Sequence, residues 1–168
     1  RITDINAGPD GSVYGPMVAY NNKIFFVGKT AAHGEELWQL DPATNTPTMV
    51  ADIDTGVRSS APANLAVLNG KLYFSATSFF HGRELYVFDG STTTRLTDIS
   101  FDALSSLSVS SSPNSFAWFN NKVYFSARDT SGQYHVWAHG PADASLAFKL
   151  NPNGDSGPKE FVVYNTRL

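Results

Sequence analysis

The side chains able to do chemistry in this chain recur at matched places. His33 and Glu36 are answered by His81 and Glu84, and Asp4, Asp52 and Asp98 occupy a third matched position. Two carboxylates brought together would form an acid–base pair. Two imidazoles facing each other would offer metal ligands, provided each came within about 2 Å of one ion. The recurrence itself argues against both: a residue that every unit carries serves what every unit needs, which is folding. Glu36 and Glu84 are therefore expected to hydrogen-bond toward a neighbouring unit. The aspartates are expected to accept backbone N–H bonds in the connectors that come after them.

The units that position these residues are read from two recurring texts. Asn21-Asn22-Lys23-Ile24-Phe25-Phe26 returns as Asn69-Gly70-Lys71-Leu72-Tyr73-Phe74 and as Asn120-Asn121-Lys122-Val123-Tyr124-Phe125, with steps of 48 and 51 residues. The second text, His81 to Gly90, has a close copy at His33–Asp41 and a degraded one at Gly132–Gly140. A period of this size marks a repeat architecture. Asn-Asn and Asn-Gly favour positive φ and so predict hairpin turns. The aromatic and β-branched runs around them predict short strands packed on both faces.

Each unit reads as four strands joined by tight turns, which is the pattern of a β-propeller blade. The expected fold is an all-β, propeller-like array of four-stranded antiparallel blades, about three of them complete, with flanking strands of incomplete ones. Residues 1–5 read as the closing strand of a preceding blade, 6–53 as blade one with its connector, 54–99 as blade two and 100–150 as blade three. Residues 151–168 read as a connector and the opening strand of a further blade. On this reading the array continues at both ends, and a three-unit solenoid or an irregular sandwich is the alternative.

Composition bounds the function. The 168 residues carry 12 Lys plus Arg against 15 Asp plus Glu, a formal charge of -3 without charge runs, so no basic stripe is present to neutralise nucleic acid. No apolar run approaches the roughly 18 residues of a membrane span. The absence of cysteine removes disulfides, thiolate metal sites and a cysteine nucleophile. Gly28-Lys29-Thr30 imitates the end of a phosphate-binding loop, but Lys23 stands where its first glycine belongs. His135 and His139 have a chelate's spacing for a helix but lie in a predicted strand, where that separation spans about 13 Å. Asp4, Asn6 and Asp10 offer oxygen ligands in a glycine-rich loop, as calcium sites do, although EF-hand spacing is lacking, and no other cofactor is expected.

Residues that break the repeat are the better functional candidates. The loops between strands two and three and those between units are expected on one face, where binding residues concentrate. That face would collect His33, Glu35, Arg58, Phe79, Phe80, His81 and Arg83, with Phe101, Asp102, Arg128, Asp129 and Tyr134 from later loops. Unit two has Phe79 and Phe80 where unit one has Ala31 and Ala32, and Arg83 where it has Glu35. If exposed, the two rings form an apolar anchor flanked by Arg58 and Arg83; otherwise they tuck beneath the loop. By contrast Trp38, Tyr86 and Trp137, like Phe26, Phe74 and Phe125, sit at matched places and read as core aromatics between units.

The texts Glu84-Leu85-Tyr86-Val87-Phe88-Asp89-Gly90-Ser91 and Glu36-Leu37-Trp38-Gln39-Leu40-Asp41, with Asn-Gly-Lys-Leu-Tyr-Phe before and Thr-Asp-Ile after, resemble ELWxxDGT repeats. These are propeller-type, hyalin-like modules of bacterial secreted and surface proteins. The resemblance implies an extracellular or cell-surface setting and transfers no catalytic residue. The function it implies is a non-catalytic module for support or for binding a glycan, an extracellular protein or further copies of itself. The alternative is part of a propeller enzyme acting on polysaccharide, with catalytic residues converging on the axis.

Overall fold

The computed structural model describes residues 5, 11–99, 101–102, 107–141, 144–148, 151 and 154–163. Twelve of its strands form three four-stranded antiparallel sheets, each in simple up-and-down order. The first holds β1 (Val13–Tyr20), β2 (Lys23–Thr30), β3 (Gly34–Asp41) and β4 (Thr46–Ala51). The second holds β5 (Ala63–Leu68), β6 (Lys71–Ser78), β7 (Gly82–Phe88) and β8 (Thr93–Arg95). The connector to the third contributes a two-residue pair, β9 (Phe101–Asp102) with β10 (Leu107–Ser108). The third sheet holds β11 (Asn114–Phe119), β12 (Lys122–Arg128), β13 (Tyr134–His139) and β14 (Ala144–Phe148). No helix occurs among the described residues, so none is long and apolar enough to cross a membrane.

The hairpins form where the asparagines dictate. Asn21 and Asn22 have φ of 47° and 59°, Asn69 and Gly70 47° and 70°, and Asn120 and Asn121 45° and 59°. Two successive positive φ values twist a two-residue turn in the sense that the flanking strands require. Each first strand then carries a register shift, between Tyr14 and Val18, Ala63 and Ala66, and Asn114 and Ala117.

Sheet two is buried on both sides, and period-2 alternation sorts its residues. Leu72, Phe74 and Ala76 of β6, with Tyr86 and Phe88 of β7, pack against Tyr20, Phe25 and Leu37 of sheet one. Tyr73, Leu85 and Val87 face the other way and pack against Val123, Phe125 and Ala127 of sheet three. Neither face could be left to water, so the sheets stack side by side, β1 lying near β5 and β5 near β11. This blade-like arrangement is compatible with a β-propeller; no ring closes within the described residues.

Two expectations need amending. Of the matched aromatics, Tyr86 is buried in the core between sheets one and two, whereas Trp137 is only half-buried, packing against the core between sheets two and three. Trp38 is half-buried because its face of sheet one has no further sheet against it among the described residues. Pro158–Val163, expected to open a strand, has no ladder partner among the described residues and is not a strand, although Ser115 Oγ donates to Lys159 O.

Candidate functional site

The geometry around the β6–β7 loop begins with a buried glutamate. Glu36 has no exposed surface, and its carboxylate accepts from the N–H groups of Ile53 (3.0 Å) and Ser60 (3.0 Å) and from Ser60 Oγ (2.6 Å). It thereby pins the connector of residues 52–62 against β3. Asp54 is fixed in that connector, its own N–H lying 3.4 Å from Glu36 Oε1. Asp54 Oδ1 in turn accepts from Phe79 N at 3.2 Å and from Arg58 Nε at 3.0 Å. One buried carboxylate thus binds the tip of the β6–β7 loop to the connector from unit one.

The outcome is a ring pair held outward. Phe79 is 65% and Phe80 74% exposed, with centroids 5.1 Å apart and planes perpendicular. The guanidinium of Arg58 lies over Phe79, 5.1 Å from its centroid, within the range of a cation–π contact. Arg58 is half-exposed, so only its Nε is taken up by Asp54. The rings do not tuck beneath the loop. Chemically the site offers an apolar face and an edge for stacking, beside a guanidinium that can donate hydrogen bonds.

The remaining candidates divide. His81 belongs to this loop but is committed to Asp98, Nδ1 to Oδ2 at 2.9 Å, and Asp98 also pairs with Arg95 at 2.9 Å. Burial opposes the Asp98 charge, but Arg95 and His81 outweigh it and hold the carboxyl below its ordinary value. His33 pairs in the same way with Asp52 at 3.1 Å. Each imidazole therefore has a carboxylate partner within its own unit, and no group of three ligand-type side chains comes together among the described residues. Asp52 does reach one connector amide, Gly56 N at 3.4 Å. Asp4, Asn6 and Asp10 lie outside the described residues.

Arg83 does not flank the rings as expected. Its guanidinium donates to Ser75 O (3.4 Å), Ser75 Oγ (3.3 Å) and Ala61 O (2.9 Å), crossing its own sheet to the connector. The strand period puts it on the face of Leu85 and Val87, and burial lowers its pKa. Glu35, at the matched place, pairs with Lys29 at 3.8 Å. Arg128 stacks on Tyr134 at 4.8 Å, and Phe101 and Asp102 form β9.

Asp54, the residue that positions the site, is not among the candidates that the sequence singles out. A signal was present: Asp52-Ile53-Asp54 answers Asp98-Ile99-Ser100, so Asp54 breaks the repeat as the phenylalanines do. Glu84 repeats the role of Glu36, accepting from Thr97 Oγ1 (2.6 Å), Ser111 N (3.3 Å) and Ile99 N (3.4 Å). Both glutamates are structural acceptors bonded to the connector leading to the next sheet, as their recurrence implied. Comparison with protein-family models and with curated proteins gave no match.

Proposed function

We propose that this chain is a non-catalytic, propeller-type repeat module of the ELWxxDGT kind, acting outside the cell or at its surface, and that it binds a ligand through the β6–β7 loop. The observation that carries this reading is the exposed, perpendicular Phe79–Phe80 pair held by Asp54 and topped by Arg58. The neighbouring unit folds with two alanines in the same loop, so packing between units does not call for the rings. Large apolar side chains kept in water by a buried carboxylate fit a contact surface. Glycan is the ligand class the geometry suits best, because sugar faces stack on aromatic rings and sugar hydroxyls or carboxylates accept from a guanidinium.

The test is binding of the chain to an immobilised glycan library spanning neutral and anionic sugars, before and after Phe79→Ala with Phe80→Ala. The double variant should lose binding by tenfold or more, on the order of 1–4 kcal/mol, while its melting temperature stays close to that of the parent. Full binding by the double variant, or no binding to any glycan by the parent, overturns the reading.

A further inference from the structure

A second site, away from the β6–β7 loop, emerges when the three inter-unit clefts are compared. Register makes Ser75 and Ser126 equivalent, facing Leu85 and Val136 across one ladder and Ala63 and Asn114 across the other. It makes Arg83 and Tyr134 equivalent in the same way, paired with Thr77 and Arg128. In unit two the Ser75 hydroxyl is fully engaged, bonded to Arg83 Nη1 (3.3 Å), Asn64 Nδ2 (3.2 Å) and Ala63 O (3.3 Å). The guanidinium of Arg83 occupies that place.

Unit three has the hydroxyl without the guanidinium. Ser126 is 1% exposed, and its Oγ has no hydrogen-bond partner. A buried hydroxyl left unpaired is destabilising and rare in folded chains, so such groups mark a place where a partner belongs. Ser126 lines a cleft of about 370 Å3 together with Tyr134, Asn114 and Asp155. Asp155 is exposed and uses Oδ1 to accept from the N–H groups of Tyr134 and Gly157. Lys159 also lines the cleft and is exposed. The Tyr134 ring already holds one guanidinium, that of Arg128. Unit one has Val27 in the place of Ser126, so the cleft there, of about 380 Å3, lacks the hydroxyl.

We propose that the unit-three cleft binds a guanidinium group from outside the chain, with Ser126 Oγ and the Asp155 carboxylate as acceptors, in the place that Arg83 fills in unit two. The group would come from an arginine side chain on another polypeptide or from a small free guanidine. Both present the same planar donor fork, whose several N–H groups can reach a carboxylate and a hydroxyl that line one cleft. This site is independent of the Phe79–Phe80 surface.

The test is an amide NMR titration of the chain with N-acetyl-L-arginine amide, with the uncharged N-acetyl-norleucine amide as control. The arginine probe should shift the resonances of Ser126, Tyr134 and Gly157 saturably and the norleucine probe should not. Ser126→Ala should weaken the arginine probe about tenfold. Tyr134→Arg, which supplies a guanidinium from the matched strand position, should abolish binding and raise the melting temperature. A peptide with a single arginine that binds more tightly than the capped amino acid assigns a polypeptide source, and equal affinity assigns a free guanidine. Equal response to both probes, unchanged binding in Ser126→Ala, or no saturable shift overturns the proposal.

Discussion

A buried glutamate latches units one and two to the chain that leaves them, and a buried histidine does so in unit three. Glu36 and Glu84 gather backbone N–H groups and a hydroxyl from the chain that leaves the sheet. His135 stands at the same place with no exposed surface, and its ring bonds Ser156 Oγ at 3.3 Å and Asp129 Oδ2 at 3.1 Å. The acceptor has moved from the strand to the preceding loop: Asp129 Oδ1 accepts from the N–H groups of Ser131 and Gln133, and from Ser131 Oγ at 2.5 Å. The adjoining glycine changes with it. Gly34 and Gly82 have φ of 60° and 61°; a Cβ on Gly34 would strike Arg58 O of the departing connector, and one on Gly82 would press on Ser110 N. Unit three has Gln133 there. The comparison teaches that the latch is a position to be satisfied: the glutamates accept directly from the departing chain, whereas the imidazole gives Nε2–H to the Asp129 carboxylate and turns Nδ1 toward Ser156 Oγ.

The largest effect should come from emptying a glutamate latch. Glu84→Ala leaves two buried donors and one half-buried donor without an acceptor, and about 3–5 kcal/mol of unfolding free energy should be lost in urea denaturation followed by tryptophan fluorescence. Glu84→Gln should cost nearly as much, because a carboxamide turns one pair of hydrogens toward groups that are themselves donors. A cost below about 1 kcal/mol for the glutamine variant would break the comparison, since shape alone would then be enough.

A smaller effect separates the latches by pH. Burial raises the Glu36 and Glu84 carboxyls above 4.5, against bonds from Ser60 and Thr97 that pull the other way. A raised acid holds its proton more tightly folded than unfolded, so these latches gain stability as pH falls through the raised value, and the gain is complete below 4.5. Asp129 has the opposite sign. Burial opposes its charge, but Ser131, Gln133 and His135 together outweigh burial and hold the carboxyl at about 2. Its contribution, on the order of 2 kcal/mol, is present above 3.8 and is lost as pH falls toward about 2. Hydrogen exchange across that window should show Gln133 N losing protection while Ser60 N and Ser111 N keep theirs. Asp89, also held at about 2, is fully exposed and bonds only within its own turn, so it does not blur the contrast. Simultaneous loss at all three latches would count against opposite signs.

Much of this frame was legible because repetition exposes it. The turn asparagines, the strand aromatics and the glutamates each recur, so each was readable as a folding residue. The histidines recur as halves of pairs: His33 recurs with Asp52 and His81 with Asp98, and unit three has Gly132 in the histidine's place. Arg83 misled. Its number in the loop suggested the loop face, whereas alternation along β7 places it with Leu85 and Val87, toward the inter-unit space where Ser75 and Ala61 accept from it. The exposure of Phe79 and Phe80 was legible only in part: Asp54, which holds their loop, breaks the repeat as they do, but its bond to Phe79 N joins the loop to the connector that precedes sheet two and is not visible in the sequence.

The smallest effect sharpens the comparison within the glutamate pair. Ser60 and Ser111 hold matched places, are both fully buried, and both give a backbone N–H to their glutamate. Their hydroxyls part ways: Ser60 Oγ lies 2.6 Å from the Glu36 carboxylate, whereas Ser111 Oγ donates to the carbonyl of Arg83 at 3.3 Å. The short bond to Glu84 comes from Thr97, which lies just past β8 at the place Ala51 holds in unit one. Unit one thus closes its latch from the far end of the departing connector, and unit two from a residue just past its own fourth strand. A hydrogen bond to an ionised acceptor is worth roughly twice one to a neutral carbonyl, so Ser60→Ala should cost about 1–3 kcal/mol and Ser111→Ala under about 1 kcal/mol. Thr97→Val should behave like Ser60→Ala, since it removes the equivalent bond from Glu84. Each alanine variant also loses a weak bond to a carbonyl, Ser60 Oγ to Glu35 O at 3.4 Å and Ser111 Oγ to Arg83 O at 3.3 Å, so the difference between them reports the short bond to the Glu36 carboxylate. Equal costs would mean that the latches depend on the backbone N–H groups alone, and that the hydroxyl beside each carboxylate fills space without holding the units together.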